Sequence, residues 1–283
     1  MSSERVSTKD DILVSVIVPT KDVVRTIRRC LFSVRAQDYG NIEIILVDNG
    51  STDGTFEIAK ELADVAVCGG PERSAQRNQA IALSSGEYVL WIDADMVLAP
   101  DVVSSAVDAA RDVGAVAVFV PEISTGEGYW TACRALERRC YVGSTLIEAP
   151  RLVRRDFFER SGAFHPGISG QEDADLRMRL LRSHERLASC PAVIEHLEGR
   201  LTLRGVLGKR RYYGRSLPAY AAAQPGAMRR QALATVVALA RHWPILLADP
   251  VHAVGILFLR SLEVLAYSAG ALAQVAPRTG RHT

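Results

Sequence analysis

Two aspartates one residue apart, Asp93 and Asp95, close the run EYVLWIDADM at residues 87–96. The run is apolar up to Ile92, so the acids stand where a buried strand surfaces. Carboxylates are hard oxygen ligands, and such a pair could hold a magnesium- or manganese-like ion against phosphate oxygens. A lone Asp-x-Asp is more often a solvated loop. Here it does not stand alone: acids also follow two other apolar runs, at Asp22 and at Asp48–Asp53, and Glu172, Asp173 and Asp175 open a helical stretch.

These residues need elements to position them. Ile12–Pro19 is β-branched and bounded by proline, as a buried strand requires, and Val23–Gln37 carries Val24, Ile27, Leu31 and Val34 at helical spacing. Further strands are expected at Glu43–Val47, Asp64–Val67, Tyr88–Ile92 and Ala115–Val120. Helices are expected from Gly54 to Leu62, over Arg73–Ser84 and over Pro100–Asp112. Pro121–Glu127 and Phe164–Gly170 read as loops. Alternating strands and helices give an α/β fold with a mostly parallel sheet flanked by helices. Ligands of such sheets sit at the carboxyl ends of the strands, which groups Pro19–Asp22, Asp48–Asp53 and Asp93–Asp95 at one edge. Like charges gathered there repel unless a cation neutralises them, so the expectation is a nucleotide-plus-metal site.

The chain has 283 residues, 48% hydrophobic and 23% charged, with a formal net charge of +2, an ordinary globular balance that advertises no nucleic-acid surface. Five scattered cysteines without CxxC spacing argue against a disulfide framework or a zinc site. The first residues lack the apolar run of a signal peptide, so a cytoplasmic location is expected.

Four blocks, VSVIVPTKD, EIILVDNGSTDGT, RNQAIALSSGEYVLWIDADM and GQEDADLRMRL, resemble in order and spacing the inverting family 2 glycosyltransferases of the GT-A fold. The resemblance covers roughly residues 12–215. It implies transfer of a sugar from a UDP- or GDP-linked donor. Pro19, Thr20 and Asp22 would line the base and ribose pocket, Asp48 would accept a hydrogen bond from base or ribose, and Arg77 and Asn78 would approach the nucleotide. Arg77 could instead be a surface residue, and Asp53 more naturally caps the following helix. Asp93 and Asp95 match the metal motif, with Asp93 also on the donor side; Mn2+ or Mg2+ would bridge the two phosphates and take up leaving-group charge. His196 falls where some members supply another metal ligand or a phosphate contact. Asp173, beside Glu172, corresponds to the general base that deprotonates the acceptor hydroxyl, a task a helix start favours because its dipole stabilises the carboxylate. Gly167–Gly170 would be a loop that orders when donor binds.

The chain departs from the family pattern in three places. The first block ends Thr-Lys-Asp, Asn49 stands where many members have aspartate, and the Gln-x-x-Arg-Trp motif of processive members is missing. The last departure argues for transfer of one sugar per encounter. A sugar-phosphate nucleotidyltransferase would show a Gly-rich basic loop after the first strand, which is absent between Pro19 and Arg29; a non-catalytic nucleotide-sugar-binding subunit of a membrane assembly is the other alternative.

Residues 200–215, RLTLRGVLGKRRYYGR, hold six basic residues and two tyrosines. Arg200, Arg210, Arg211 and Tyr213 could close over the pyrophosphate or receive an acceptor phosphate, since the arginine fork donates two parallel hydrogen bonds. The organisation expected is a disordered tail at 1–11, a catalytic domain at 12–225 and an apolar helical hairpin at 226–276. Arg241, His242, Arg260 and Glu263 interrupt the apolar stretches, so neither is a clear membrane span. On a helical projection His252, Arg260, Glu263, Tyr267 and Gln274 share one narrow polar face. A helix so lopsided packs under the domain, seats in a membrane interface or pairs with a partner. Interfacial seating is favoured, and it would suit a hydroxyl-bearing or polyprenyl-linked acceptor reached from the cytoplasmic face.

Overall fold

The computed structural model describes residues 12–275; the tail expected at 1–11 and position 276 lie outside them. Strands β1 (Val14–Thr20), β2 (Ile42–Asp48), β3 (Val65–Cys68) and β4 (Tyr88–Trp91) alternate with helices α1 (Val24–Arg35), α2 (Thr55–Leu62) and α3 (Arg73–Leu83). The chain continues through β5 (Met96–Leu98), α4 (Val102–Val113), β6 (Ala117–Phe119), β7 (Glu122–Glu127) and α5 (Tyr129–Arg139). Next come β8 (Pro150–Arg154), α6 (Arg155–Ser161), α7 (Glu172–Arg182), β9 (Leu187–Ser189) and β10 (Ile194–Arg200). Helices α8 (Leu203–Gly214), α9 (Leu217–Ala223), α10 (Ala227–Arg241), α11 (Trp243–Ala248) and α12 (Pro250–Val275) complete it.

The main sheet has seven strands in the order β3-β2-β1-β4-β8-β6-β9. Its first four strands are parallel, and β8 runs antiparallel to both its neighbours. The central strands are largely apolar because both faces are covered. Val16 and Val18 of β1 and Leu90 of β4 point into one core, under α1 and α4, while Ile17, Val89 and Trp91 point into the other. Each such aliphatic side chain, fully buried, stabilises the fold by roughly 1.5–3 kcal/mol. All the expected strands and helices up to Val120 are present, with ends moved by a residue or two.

Three strands outside that expectation form a second sheet, β5-β10-β7. Glu122–Glu127, expected as a loop, is one of them, and it pairs in parallel with β10. This small sheet carries His196 next to Met96, and Leu197 N–H bonds the Asp95 carbonyl (2.8 Å), which clamps the tip of β4.

Helix α12 reverses the usual amphipathic arrangement. Its polar side faces the protein: Glu263, 1% exposed, binds Arg134 of α5, Arg210 of α8 (2.8 Å) and Arg260 (3.3 Å), and Tyr267 accepts from Arg210 (3.0 Å). Arg260 in turn binds Glu137 and the Tyr141 hydroxyl. Two glycines let α12 and α8 touch backbone to backbone: a Cβ on Gly270 would lie 2.1 Å from the Arg211 carbonyl, and one on Gly214 would lie 2.3 Å from that of Tyr267. The opposite side, including Val254, Leu257, Val264, Leu265 and Leu272, is more than 60% exposed at each of these positions. Pro250–Gln274 is long and apolar enough by composition to cross a membrane. The charges that interrupt it in sequence are spent on the domain.

Candidate active site

The strand tips meet at a cavity of about 1230 Å³. That exceeds the usual range for a single small ligand, roughly 300–1,000 Å³, so it has room for two substrates. At one end are Pro19, Thr20, Lys21, Asn49, Pro71 and Gln76; Asp93, Asp95, His196, Glu172 and Asp173 also line it, with Glu148, Arg177 and Tyr141.

The centre is organised by Arg77 of α3. Its guanidinium is wholly buried, stacked over Trp91 (4.3 Å) and near Phe164 (5.1 Å). One nitrogen donates to Asp93 Oδ1 (2.8 Å) and another to Asp173 Oδ1 (2.7 Å). A single cation thus ties the acid at the end of β4 to the acid at the start of α7. Arg73, one turn earlier on α3, adds ion pairs to Asp93 (3.5 Å) and Glu172 (3.4 Å), and its fork also donates to the Tyr213 hydroxyl (2.5 Å). Burial opposes charge on Asp93, but Arg73, Arg77, Arg151 and His196 outweigh it and hold this carboxyl well below the ordinary range.

Glu172 and Asp173 are adjacent but differ. Glu172 is 2% exposed and neither of its oxygens accepts a hydrogen bond; burial first, then the neighbouring Asp173 charge, raises its pKa. Asp173 is 30% exposed. It is the more accessible of the two to an incoming hydroxyl. Tyr213 shapes the approach: its ring covers Gly170, where φ is +80° and an added Cβ would sit 2.3 Å from the ring. Only glycine fits there, two residues before Glu172.

Asp95 has one buried oxygen, Oδ1, without a partner, and its Oδ2 lies 3.2 Å from His196 Nε2. An Arg138 nitrogen lies 3.0 Å from His196 Nδ1, a hydrogen bond to a neutral ring and a like-charge contact to a protonated one. Burial opposes charge on this imidazole too, yet Asp95 and Glu122 push its pKa up to about 9. In this geometry Nε2 faces Asp95 as a donor, so His196 orients that carboxylate. Among the described residues, no three metal-ligating side chains converge on one point. The orphan Asp95 oxygen and the hard donors beside it fit a divalent cation only if substrate oxygens complete its shell.

The remaining candidates divide between the cavity wall and the framework beneath it. Arg77 is neither at the surface nor in the cavity wall. Asn78 fixes the loop before α7, donating to the Phe164 carbonyl and accepting from its N–H (both 2.8 Å). Asp48 is fully buried, accepting from Thr20 Oγ1 (2.9 Å) and Ser51, so it shapes the β1–β2 edge from below. Asp22, at φ +49°, accepts from the Thr52 N–H (2.9 Å). Asp53 accepts from Thr55 and Val24 N–H groups, joining the starts of α2 and α1. Arg200, Arg210 and Tyr213 line the cavity, Arg210 while locked to Glu263; Arg211 is exposed and does not line it.

Other residues of the wall carry no mark in the sequence. Arg151, 3% exposed, also lies over the Trp91 ring (4.0 Å) and binds Glu122 (2.5 Å), which also binds Arg138. The one available signal was a charge inside an apolar strand, at Arg151 in PRLVR. Glu148 is buried with both oxygens unpartnered. Burial chiefly pushes its pKa up to about 7 from 4.5, with help from Glu122 and against the nearby Gly143 N–H, which falls short of hydrogen-bond geometry. A raised acid favours its protonated form in the fold, so Glu148 subtracts stability as pH climbs through that interval.

The profile of glycosyl transferase family 2 matches residues 15–165. Glycosyltransferase GlyA of Streptococcus pneumoniae serotype 4 is 37% identical over 98 residues, 32% of this chain and 14% of its own. The Escherichia coli UDP-Glc:alpha-D-GlcNAc-diphosphoundecaprenol beta-1,3-glucosyltransferase WfaP is 33% identical over 90 residues, 29% of this chain and 35% of its own. The chain therefore spans only a minor part of these relatives. Among solved structures, the mannosyltransferase PcManGT from Pyrobaculum calidifontis, in complex with GDP-Man and Mn2+, superposes with a TM-score of 0.63 at 20% identity, covering 94% of this chain and 88% of that one. S. aureus TarS 1-349 with UDP-GlcNAc gives 0.53 at 19%, over 72% and 66%. The fold is the GT-A α/β architecture with a C-terminal apolar helix.

Proposed function

The chain belongs to glycosyl transferase family 2, and from that premise we propose that it moves a single sugar, with inversion, from a nucleotide-diphosphate sugar to an acceptor hydroxyl. The observation that carries the reading is the pair Asp93 and Asp173, held to one buried guanidinium across a cavity with room for two substrates. The nucleotide would lie over Pro19, Thr20 and Asn49. Asp95, oriented by His196, and Asp93 would hold the cation, Mn2+ or Mg2+; when bound, it offsets the charge that develops on the departing diphosphate. Asp173 takes the proton of the acceptor hydroxyl as that oxygen attacks the anomeric carbon from the side opposite the diphosphate. Arg77 keeps the base and the diphosphate end in fixed relation, and Trp91 and Phe164 keep Arg77 in place. The GDP-Man and Mn2+ of PcManGT, and the UDP-GlcNAc of TarS, support this donor class.

The test is thermal denaturation of wild type and Asp95→Ala with UDP, GDP and their sugars, with and without Mn2+. The wild type should gain a metal-dependent stabilisation with one nucleotide series, about 2.7 kcal/mol at a hundredfold excess over Kd. Asp95→Ala should lose its metal-dependent part. An unaltered metal response in the variant counts against Asp95.

The acceptor in this reading is lipid-linked, and the enzyme sits peripherally on the cytoplasmic face of a membrane. Support comes from the exposed apolar side of α12, from exposed Arg229, Arg230 and Arg241 on α10, and from the diphosphoundecaprenol acceptor in the name of WfaP. Apolar area with adjacent cations suits an anionic interface. Co-sedimentation with phosphatidylglycerol vesicles should be strong for the wild type and lost in Leu257→Glu/Leu265→Glu. Equal sedimentation of both would remove α12 from membrane contact.

A further inference from the structure

Glu148 stands in the cavity wall, 8% exposed, with no hydrogen-bond partner on either oxygen. Buried polar atoms almost always find partners, and an orphan carboxyl costs stability that a merely structural position would not carry. Its backbone is fixed from two sides. Two residues on, Pro150 accepts a hydrogen bond from Trp91 Nε1 (2.9 Å) and Leu152 pairs with Leu90, so Glu148 enters β8 alongside the Asp93 end of β4. From α7, Arg177 donates to the carbonyls of Ile147 (2.8 Å) and Glu148 (3.2 Å), one helical turn beyond Asp173. Arg177 also lines the cavity, is 6% exposed, and has an unpartnered Nε. An orphan acceptor and an orphan donor therefore lie between the strand end assigned to the diphosphate and the helix that carries the base. On the reading of the previous section, the sugar ring being transferred has to occupy that interval.

We propose that Glu148, with Arg177 beside it, recognises the transferred sugar by hydrogen bonds to its ring hydroxyls, and so sets donor-sugar specificity. The carboxyl accepts from hydroxyl groups, and the Arg177 Nε–H donates to a hydroxyl oxygen. This inference rests on the glycosyltransfer reading and assigns a part of the site that the nucleotide, the metal and the base leave unclaimed.

Isothermal titration in Mn2+ buffer with UDP, UDP-glucose, UDP-GlcNAc, GDP and GDP-mannose tests it, on wild type, Glu148→Met and the isosteric Glu148→Gln. The wild type should bind one sugar nucleotide more tightly than the bare diphosphate. Glu148→Met should lose that preference, by about tenfold, with affinity for the bare diphosphate unchanged and a melting temperature equal to or above wild type. Glu148→Gln should keep part of the preference. The inference is overturned if both variants retain the full preference, if bare diphosphate binding falls equally, or if both variants melt lower. It is also overturned if the wild type binds diphosphates and their sugars alike. Were the wild type to bind none of the five, the glycosyltransfer reading would fail, visibly in the wild type, and this inference with it.

Discussion

Asp173→Asn should bind nucleotide sugar as the wild type does and transfer it about 10²- to 10⁴-fold more slowly, the usual contribution of a positioned general base. The substitution preserves shape, and the asparagine side-chain oxygen can still accept the Arg77 hydrogen bond now made by Oδ1 (2.7 Å). The tie to Asp93 and the packing of Arg77 on Trp91 therefore survive. What disappears is the ability to take a proton. Glu172 cannot substitute: it is buried, and its raised pKa reflects burial and the Asp173 charge rather than access to substrate. Single-turnover kinetics together with donor titration separate the two effects. Unchanged turnover in this variant would remove Asp173 from the role.

Glu263→Ala should destabilise the protein by about 3–5 kcal/mol, the range for removing one partner of a buried ion pair. Three arginines, Arg134, Arg210 and Arg260, converge on this carboxylate, and only Arg134 and Arg260 have Glu137 as a second partner. Without it, Arg210 keeps the hydroxyl and ring face of Tyr267 among the described residues. The loss should appear in denaturant titrations and as protease cleavage near Asp249, ahead of α12. Acid should produce the same effect in the wild type. Burial raises the Glu263 pKa, but the three arginines dominate and bring it to about 2 from 4.5. A depressed acid contributes its stability above the unfolded value and loses it as pH falls, here from about 4.5 towards about 2. A variant as stable as wild type at pH 7 would show that α12 is held by other contacts.

Much of the fold was legible because apolar strands alternating with amphipathic helices leave few arrangements, and the strand ends then gather Thr20, Asp93 and the loop at Asp48. The second sheet was not legible. Met96–Leu98 is too short for a period to show, and Glu122–Glu127 is polar and contains glycine, as a loop would be. The site divided similarly. Charged residues at predicted strand ends and at a predicted helix start could be placed by rule. Arg77 could not, because in sequence an arginine on a helix reads as solvent-facing or ligand-facing, whereas here two rings and two carboxylates enclose it. Glu148 and Arg151 depend on β8 lying antiparallel beside β4, a pairing that no local pattern announces. The polar face of α12 was visible at Arg260, Glu263 and Tyr267, but its partners were not, since Arg134, Glu137 and Arg210 lie on helices far from it in sequence.

That inverted helix bears on how stability varies with temperature. Exposing apolar surface on unfolding raises heat capacity by about 0.45 cal/mol/K per Å², while exposing polar surface lowers it by about 0.26. The central sheet, with Ile17, Ile45 and Leu90 fully buried, would unfold with the large positive change that bends a stability curve into a dome. Release of α12 uncovers Glu263, Arg260, Tyr267 and the arginines they bind, around a few aliphatic side chains such as Ile256 and Leu259. Each Å² of polar surface released there cancels a little over half of the effect of an Å² of apolar surface. Docking of this helix would therefore have an enthalpy that varies less with temperature, per unit of area buried, than that of the sheet. Cooling, which weakens hydrophobic cores, would loosen the grip on α12 less than it loosens the sheet.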